Sequence, residues 1–305
     1  MIRTVGIVGL GALGMLYADH FSKHMAEKDI KIIVNKERKE RYESRPLTIN
    51  GKETNFNYVL EDGADAAVDL ILFCVKGNQL ADSLETAKHY IGPQTTILSV
   101  LNGISSEEEI AKRYPASQII HCVAQGMDAV REEQNLFYER KGELRIGIDD
   151  PAKQSRLADL EAFFQKTAFP YTIETDIVHR IWKKFMLNVG VNQVVMLTEG
   201  VYADAQEDGE TRDLMIAAMK EVIQLAQAEG IHLNDTDLED NLKLLATLSP
   251  KNMPSMRQDG LAKRPSEVEL FAGTVIEKAK KHQLAVPTNM YLYGKIKEIE
   301  SHYSL

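Results

Sequence analysis

The chain has 305 residues and a formal net charge of −9 at pH 7, with 44% hydrophobic and 27% charged residues. This length allows two domains, and the composition is ordinary for a folded globular protein. The negative charge argues against a surface for nucleic acid or anionic membrane, and no apolar run approaches the roughly 18 residues of a membrane span. We therefore expect a small-molecule partner, no nucleic-acid or membrane partner, and leave a homodimer open.

The cysteine content and the N-terminus predict a cytoplasmic protein. Cys74 and Cys122 both lie in apolar stretches and are expected to be reduced core residues. Because no cluster of Cys and His has metal-ligand spacing, we expect no metal site. The chain opens on strand-like sequence at Thr4–Val8, without the features of a secretory signal.

The first half of the chain alternates short apolar runs with helix-like segments. Strands are predicted at Thr4–Val8, Lys31–Asn35, Asp69–Val75, Thr95–Val100, Ile119–Gln125, Gly142–Ile148 and Tyr171–Glu174, and helices at Leu13–Lys28 and Pro151–Thr167. Continuous apolar strands separated by helices are typical of a parallel sheet covered on both faces. The pattern predicts a doubly wound α/β domain.

Helical periodicity replaces the strand pattern near residue 175. Helices are predicted at Ile177–Leu197, Thr211–Glu229, Ser266–His282 and Asn289–Ser301. The third should begin with a capping box, in which Ser266 and Glu269 bond to each other's backbone. We therefore expect an α/β domain over residues 1–175 and an all-helical domain over residues 176–305.

A glycine-rich turn follows the first predicted strand and opens a helix. It has the pattern G-x-G-x-x-G and consists of Gly9, Leu10, Gly11, Ala12, Leu13 and Gly14. In this position the pattern predicts a Rossmann-type dinucleotide site, where backbone N–H groups and the positive helix end bind phosphates. A purely structural turn is the alternative, but it explains neither the spacing nor the place at the first strand.

The end of the second predicted strand bears on the choice of dinucleotide. NAD sites usually place an acidic residue there, to bind the ribose 2′-hydroxyl. This chain has Asn35, followed by the cations Lys36 and Arg38. A neutral amide with nearby cations would attract the 2′-phosphate of NADP rather than repel it. The alternative is a solvated charged loop, since Glu37 and Glu40 are interspersed.

A polar stripe is predicted on the otherwise apolar helix Ile177–Leu197. Lys184, Asn188 and Asn192 are spaced four residues apart and so share one helix face. Polar groups among apolar neighbours must be solvated, paired or functional. The lysine could extend to the surface and the amides could bond to other helices, but the regular stripe beside a dinucleotide domain favours a ligand site.

Other candidates lie where predicted strands end and in a late polar cluster. Lys76 and Asn102 follow two apolar strands, at the edge where open α/β sheets bind ligands. The cluster begins at Ser255 and extends to Glu267 and Glu269. Taken alone, it predicts a loop and the start of a helix.

Together these motifs resemble the ketopantoate reductase family over nearly the whole chain. The matching segments are G-x-G-A-L-G at Gly9–Gly14, V-K-x-x-Q at Val75–Gln79, N-G at Asn102-Gly103, W-x-K-x-x-x-N-x-x-x-N at Trp182–Asn192, S-M-x-Q-D at Ser255–Asp259 and R-P-S-E-V-E at Arg264–Glu269. The glycine motif is shared by many families, whereas the lysine–asparagine helix followed by the serine-to-glutamate segment is much more specific. Leu101 departs from the pattern, since the family often has His at this position.

The resemblance implies a Rossmann domain followed by a helical domain like that of 6-phosphogluconate dehydrogenase. It implies hydride transfer from NADPH to ketopantoate, which gives D-pantoate for pantothenate and coenzyme A. By resemblance, Lys184 is the acid near the ketone oxygen and Glu267 supports the site. Lys76 and Asn102 match positions close to the nicotinamide and the substrate.

The resemblance also implies a set of substrate contacts. Asn188 and Asn192 match amides that contact the substrate, and Ser255 matches the serine that binds its carboxylate. Two other functions stay open: a related NADP-dependent dehydrogenase acting on another 2-oxo or 3-hydroxy acid, and an NADP-binding regulator without catalysis. The intact set of polar residues argues against a regulator, which would have no need of them.

Overall fold

The computed structural model of the protein describes residues 1–63 and 66–303. The chain divides into two compact units. The first comprises Met1–Leu101 and Ser105–Ile177, and the second comprises Asn102–Ile104 together with the chain from Val178 onward. The division into an α/β domain over residues 1–175 and a helical domain over residues 176–305 stays a prediction.

The first unit is built on two sheets. Their strands are β1 (Val5–Val8), β2 (Ile30–Val34), β3 (Leu47–Ile49), β4 (Lys52–Thr54), β5 (Tyr58–Leu60), β6 (Leu70–Phe73), β7 (Thr96–Ser99), β8 (Ile119–Gln125), β9 (Val130–Glu132), β10 (Asn135–Phe137), β11 (Glu143–Gly147) and β12 (Tyr171–Ile173). The larger sheet has the order β12-β11-β8-β7-β6-β1-β2-β5. Its strands from β5 to β8 are parallel, and β11 joins β8 antiparallel. The expected doubly wound sheet is confirmed.

The central strands are buried because helices cover both faces of the sheet. All four residues of β1, β6 and β7 are buried. The helices of this unit are α1 (Ala12–Ser22), α2 (Lys36–Ser44), α3 (Leu80–Ala87), α4 (Ser106–Ala111) and α5 (Gln154–Lys166). The predicted helix Leu13–Lys28 is too long: α1 ends at Ser22, and a 3-10 turn at Glu27–Asp29 leads the chain into β2.

The smaller sheet was not expected from the sequence. It has the order β4-β3-β10-β9, and each of its strands has only three residues. The parallel pairing of Thr48 with Asn135 joins segments far apart in the chain, and their side chains are 2.6 Å apart in a hydrogen bond. This sheet brings β9 to the glycine-rich turn.

The second unit is helical, as expected, and no strand occurs in its described residues. Its helices are α6 (Ile177–Leu197), α7 (Tyr202–Gln206), α8 (Glu210–Ala228), α9 (Asp235–Ala246), α10 (Ser255–Leu261), α11 (Thr274–Lys281) and α12 (Pro287–Ser301). Helix α6 has the predicted bounds. Residues from Ser255 form helix α10, where the sequence had suggested a loop.

The predicted helix Ser266–His282 is wrong at its start. Regular α-helix begins only at Thr274, after a π-helical turn at Glu269–Gly273. The expected capping box does not form, because the Ser266 N–H donates to Glu300 at 2.7 Å. The Glu269 carboxylate instead accepts from the hydroxyl of Tyr293 at 2.7 Å. Contacts to α12 replace the local contacts that the spacing suggested.

Candidate functional site

The glycine-rich turn between β1 and α1 is built for a close backbone approach. Gly9 has φ of +93°, and a Cβ there would lie 2.7 Å from the carbonyl oxygen of Cys74. A Cβ at Gly14 would collide with the Gly9 carbonyl oxygen. Neither position accepts a side chain, whereas Gly11 is exposed at the start of α1. This arrangement fits a dinucleotide pyrophosphate, which binds the N–H groups at a helix N-terminus.

Lys76 is held next to this turn. Val75 and Cys74 are the residues that a Cβ at Gly9 would meet. Lys76 follows them directly, is half-buried, and precedes a 3-10 turn at Gly77–Gln79. The structure thus brings this predicted site residue to the edge of the sheet that carries the glycine motif.

The Asn35 amide and two cations follow β2, and the amide also caps a helix. The Oδ1 atom of Asn35 accepts from the Arg38 N–H at 2.9 Å and so caps α2. Only the Nδ2 end of this side chain therefore remains as the donor that could meet a ribose or phosphate. Lys36 is exposed, with its ammonium 4.0 Å from Glu40, and Arg38 is partly buried.

Arg131 is a further cation at the glycine-rich turn, and sequence reasoning missed it. Its Nη1 donates to the carbonyl oxygen of Leu10, and its Nε donates to that of Glu133 at 2.8 Å. The residue lies on β9, in the small sheet. A single arginine in a three-residue strand carries no sequence signal that could have pointed to this turn.

The predicted polar stripe on α6 becomes more buried along the helix. Lys184 and Asn188 are half-buried, and Asn192 is 6% exposed. The flanking residues Phe185, Val189 and Met196 are fully buried. The stripe therefore places three polar side chains among buried apolar neighbours of the same helix.

Three of the predicted site residues form a continuous chain of hydrogen bonds. The Lys184 ammonium donates to Asn102 Oδ1 at 3.1 Å, and Asn102 Nδ2 donates to Glu267 Oε2 at 3.2 Å. All three residues belong to the second unit, although Asn102 follows β7 in the chain. The two partners fix which end of the Asn102 amide faces the lysine.

The neighbouring Lys183 is engaged elsewhere. Its ammonium lies 3.1 Å from Asp237 and 2.8 Å from Asp240, both on α9. Burial would raise the pKa of Asp237, but hydrogen bonds from His179 and Lys183 outweigh it and lower this pKa below its ordinary value. Lys183 therefore ties α6 to α9, while Lys184 faces Asn102.

Ser255 begins α10 and is exposed. This helix packs on α6, because a Cβ at Gly260 would lie 2.6 Å from the Met196 sulfur, one turn beyond Asn192. At its other end, Asp259 accepts from the Arg264 guanidinium at 2.9 Å. The structure thus brings the serine-containing helix to α6.

Residues 1–63 and 66–303 contain no group of three or more acidic, His or Cys side chains placed to hold a metal ion. No helix in the same ranges is long and apolar enough to cross a membrane.

The parallel sheet with its glycine-rich turn, followed by the helical unit, is the architecture of a Rossmann-type oxidoreductase. Residues 5–150 match the family described as Ketopantoate reductase PanE/ApbA, and residues 176–300 match its C-terminal region. The chain therefore belongs to the ketopantoate reductase family.

Individual relatives are distant. A 2-dehydropantoate 2-reductase of Halobacterium salinarum is 27% identical over 225 residues, which are 73% of each chain. The structure of a D-mandelate dehydrogenase with NADH and anilino(oxo)acetate has a TM-score of 0.88 at 20% identity and covers 99% of this chain and 100% of that one. A dimeric ketopantoate reductase from Staphylococcus aureus has a TM-score of 0.80 at 19% identity, with coverage of 99% and 100%. The structural likenesses show the shared fold.

Proposed function

We propose that this protein reduces 2-dehydropantoate (ketopantoate) to D-pantoate with NADPH. The observation that carries the proposal is the hydrogen-bonded chain from Lys184 through Asn102 to Glu267. An ammonium held by an amide that is itself held by a carboxylate is a positioned proton donor. Such a donor is what reduction of a ketone requires of the protein.

The first unit would hold the cofactor. Backbone N–H groups of the glycine-rich turn would bind the pyrophosphate, and Lys76 would lie toward the nicotinamide half. The Nδ2 group of Asn35, with Lys36 and Arg38, would favour the 2′-phosphate of NADPH over the bare ribose of NADH. The family relationship and the cradle without room for a Cβ support a nicotinamide cofactor, and the strand end supports the choice of NADPH.

The second unit would supply the acid. When bound, NADPH supplies the hydride that adds to the ketone carbon. The carbonyl π electrons then move to the oxygen, which becomes an alkoxide. The Lys184 ammonium stabilises this developing charge and transfers a proton to the oxygen, which completes the alcohol. Asn102 keeps the ammonium in place, and Glu267 keeps Asn102 in place.

Orientation of the substrate would depend on the remaining polar groups of the second unit. Asn188 and Asn192 lie on the same face of α6 as Lys184 and would bond to the substrate's oxygen atoms. Ser255 would donate its hydroxyl hydrogen to the substrate carboxylate. A small acid held at both ends presents a single face to the hydride, which is how positioning contributes to rate.

A substrate panel tests the proposal. The purified protein is assayed with NADPH and then with NADH, by the loss of reduced-nicotinamide absorbance. The panel contains ketopantoate, a linear 2-oxo acid, the 2-oxo acid of mandelate and a 3-oxo acid. The highest kcat/KM should occur with ketopantoate and NADPH.

Each other outcome assigns a different function. A higher kcat/KM with an aryl 2-oxo acid would make the protein a different 2-hydroxy acid dehydrogenase. Tight NADPH binding without turnover of any panel member would indicate a regulator. We also propose a homodimer, supported by the dimeric relative of the same fold, and light scattering after gel filtration should give twice the chain mass.

A further inference from the structure

We infer that Arg131 binds a phosphate group of the nicotinamide cofactor. This inference rests on the proposed cofactor site and adds a residue outside the glycine motif and outside the end of β2. The family resemblance assigns Arg131 no role, and the residue lies more than 110 positions beyond the turn that it contacts.

Two hydrogen bonds hold the Arg131 guanidinium, and neither of them is made by Nη2. Its Nη1 bonds to the Leu10 carbonyl and its Nε bonds to the Glu133 carbonyl, so two of its three nitrogens hold it on protein backbone. Arginine has five N–H donors in a planar fork, and Nη2 carries two of them. An arginine fixed in this way needs little reordering when it meets an anion, and its fork matches phosphate oxygens.

The location is the part of the first unit where cofactor phosphates would bind. Leu10 lies between Gly9 and Gly11, in the turn that leads into the positive end of α1. Arg131 is also near β5, the strand beside β2: burial raises the pKa of Tyr58 to about 12, and Arg131 is the cation that opposes this rise.

Charge gives a reason for this arrangement. The chain carries a net charge of −9, so an anionic cofactor is repelled at long range and must be held by local cations. Lys36, predicted for this task, is 84% exposed at its side chain and lies near Glu40. Arg131 is more buried and is fixed to the turn itself, so it is the better placed of the two to offset the unfavourable field.

Calorimetric titration with NADPH and with NADH, in the absence of substrate, tests the inference. Arg131→Gln, which can still donate to the Leu10 carbonyl but carries no charge, should raise the Kd of NADPH about 10-fold or more. Arg131→Lys should recover part of the loss. Arg140→Ala is the matched control, because Arg140 lies nearby in the chain, is exposed, and pairs with Asp128 at 3.4 Å. It removes the same charge and should change neither Kd by more than twofold.

The two cofactors identify the phosphate. An equal rise in Kd for both assigns Arg131 to the pyrophosphate, and a rise confined to NADPH assigns it to the 2′-phosphate. Unchanged Kd values for Arg131→Gln, or the same loss in Arg140→Ala, would overturn the inference. The measurement requires no turnover, so failure of the proposed reaction with ketopantoate would leave its result interpretable.

Discussion

The Lys184 ammonium and the Asn102 amide oxygen are joined by a 3.1 Å hydrogen bond across 82 positions of the chain. Asn102 can accept from a cation only through Oδ1, and its Nδ2 then faces the Glu267 carboxylate. The amide therefore connects the proposed proton donor to a carboxylate without carrying charge itself. This makes Asn102 a positioning residue for Lys184 as well as a candidate substrate contact.

Removal of the Asn102 amide should lower turnover without unfolding the protein. Asn102→Ala removes a hydrogen bond that positions the Lys184 ammonium, and misplacement of a catalytic group by about 1 Å can reduce the rate about 10²-fold. We expect kcat with ketopantoate to fall by about that factor, with the Tm shifted only slightly. The control is Asn241→Ala on α9, which removes a buried amide that donates to the Lys183 carbonyl at 2.9 Å. It should lower the Tm and largely preserve kcat, and equal kcat losses in the two variants would contradict the positioning role.

Ser255 should affect substrate binding rather than cofactor binding. Ser255→Ala removes the hydroxyl that we assign to the substrate carboxylate, and hydrogen bonds to charged groups contribute about 1.5–3 kcal/mol. The KM for ketopantoate should rise about 10-fold or more, while the Kd of NADPH measured by titration stays within a factor of two. Unchanged KM and kcat would show that another group binds the carboxylate.

The cations after β2 should separate the two cofactors. Lys36→Ala combined with Arg38→Ala should raise the KM of NADPH several-fold more than that of NADH, since only NADPH has the 2′-phosphate. Solvent screening limits the effect, because Lys36 is largely exposed. The matched control combines Lys39→Ala with Arg41→Ala: Lys39 lies 3.9 Å from Glu43, and Arg41 lies over the Tyr42 ring. Equal use of both cofactors by the unmodified protein would refute the NADPH assignment.

The sequence predicts the bounds of a helix or strand best where buried residues recur without interruption along the segment. The bounds of β8 and α6 agree with the structure at both ends, because every turn of α6 packs on apolar neighbours and β8 lies inside a sheet. The small sheet was missed because three-residue strands show too little alternation, and because β3 pairs with β10 far along the chain. The start of the helix after Ser266 was misplaced because Glu300 on α12 takes the bond that a local cap would have made.

The site was predicted as separate residues, and the structure supplies their connections. Spacing alone put Lys184, Asn188 and Asn192 on one face, since that depends only on helix geometry. The bonds from Asn102 to Lys184 and to Glu267 depend on tertiary packing, which no local pattern encodes. The position of Arg131 could not be predicted from the sequence, because both its strand and its contact with Leu10 arise only in the folded unit.

His20 should make the first unit sensitive to acid. Burial lowers the pKa of His20 from 6.5 to about 4, and its Nε2 donates to the Thr167 carbonyl at 2.9 Å. Because this pKa is depressed in the folded state, the unfolded chain binds the proton first as the pH falls. The stability that neutral His20 provides is therefore complete above pH 6.5 and is lost as the pH falls toward 4, at most at about 1.4 kcal/mol per pH unit.

Urea unfolding between pH 7.5 and pH 4 measures this effect. His20→Gln retains a donor for Thr167 but does not titrate. The difference in unfolding free energy between the native protein and this variant should therefore shrink as the pH falls below about 6.5. A difference that stays constant over the whole range would mean that His20 is not held neutral by the fold.

The pair Lys183 and Lys184 gives the sharpest test of the mechanism. Lys184→Ala removes the proposed proton donor and should lower kcat with ketopantoate by about 10²–10⁴-fold, the usual contribution of positioned acid catalysis. Circular dichroism and NADPH titration should stay near those of the unmodified protein. Lys183→Ala instead removes ion pairs of 3.1 and 2.8 Å to Asp237 and Asp240. It should destabilise the second unit by about 1–3 kcal/mol and reduce kcat only a few-fold.

Lys184→Ala should thus lower kcat with little effect on stability, whereas Lys183→Ala should lower stability with little effect on kcat. Both variants remove a lysine side chain, at adjacent positions of the same helix. Successive helix positions point about 100° apart, which is why one lysine meets α9 while the other meets Asn102. Near-normal turnover in Lys184→Ala with a large loss in Lys183→Ala would show that the functional face of α6 has been assigned wrongly. Near-normal turnover in both variants would require a proton donor other than these lysines, and the hydrogen bond from Lys184 to Asn102 would then serve only the packing of the second unit.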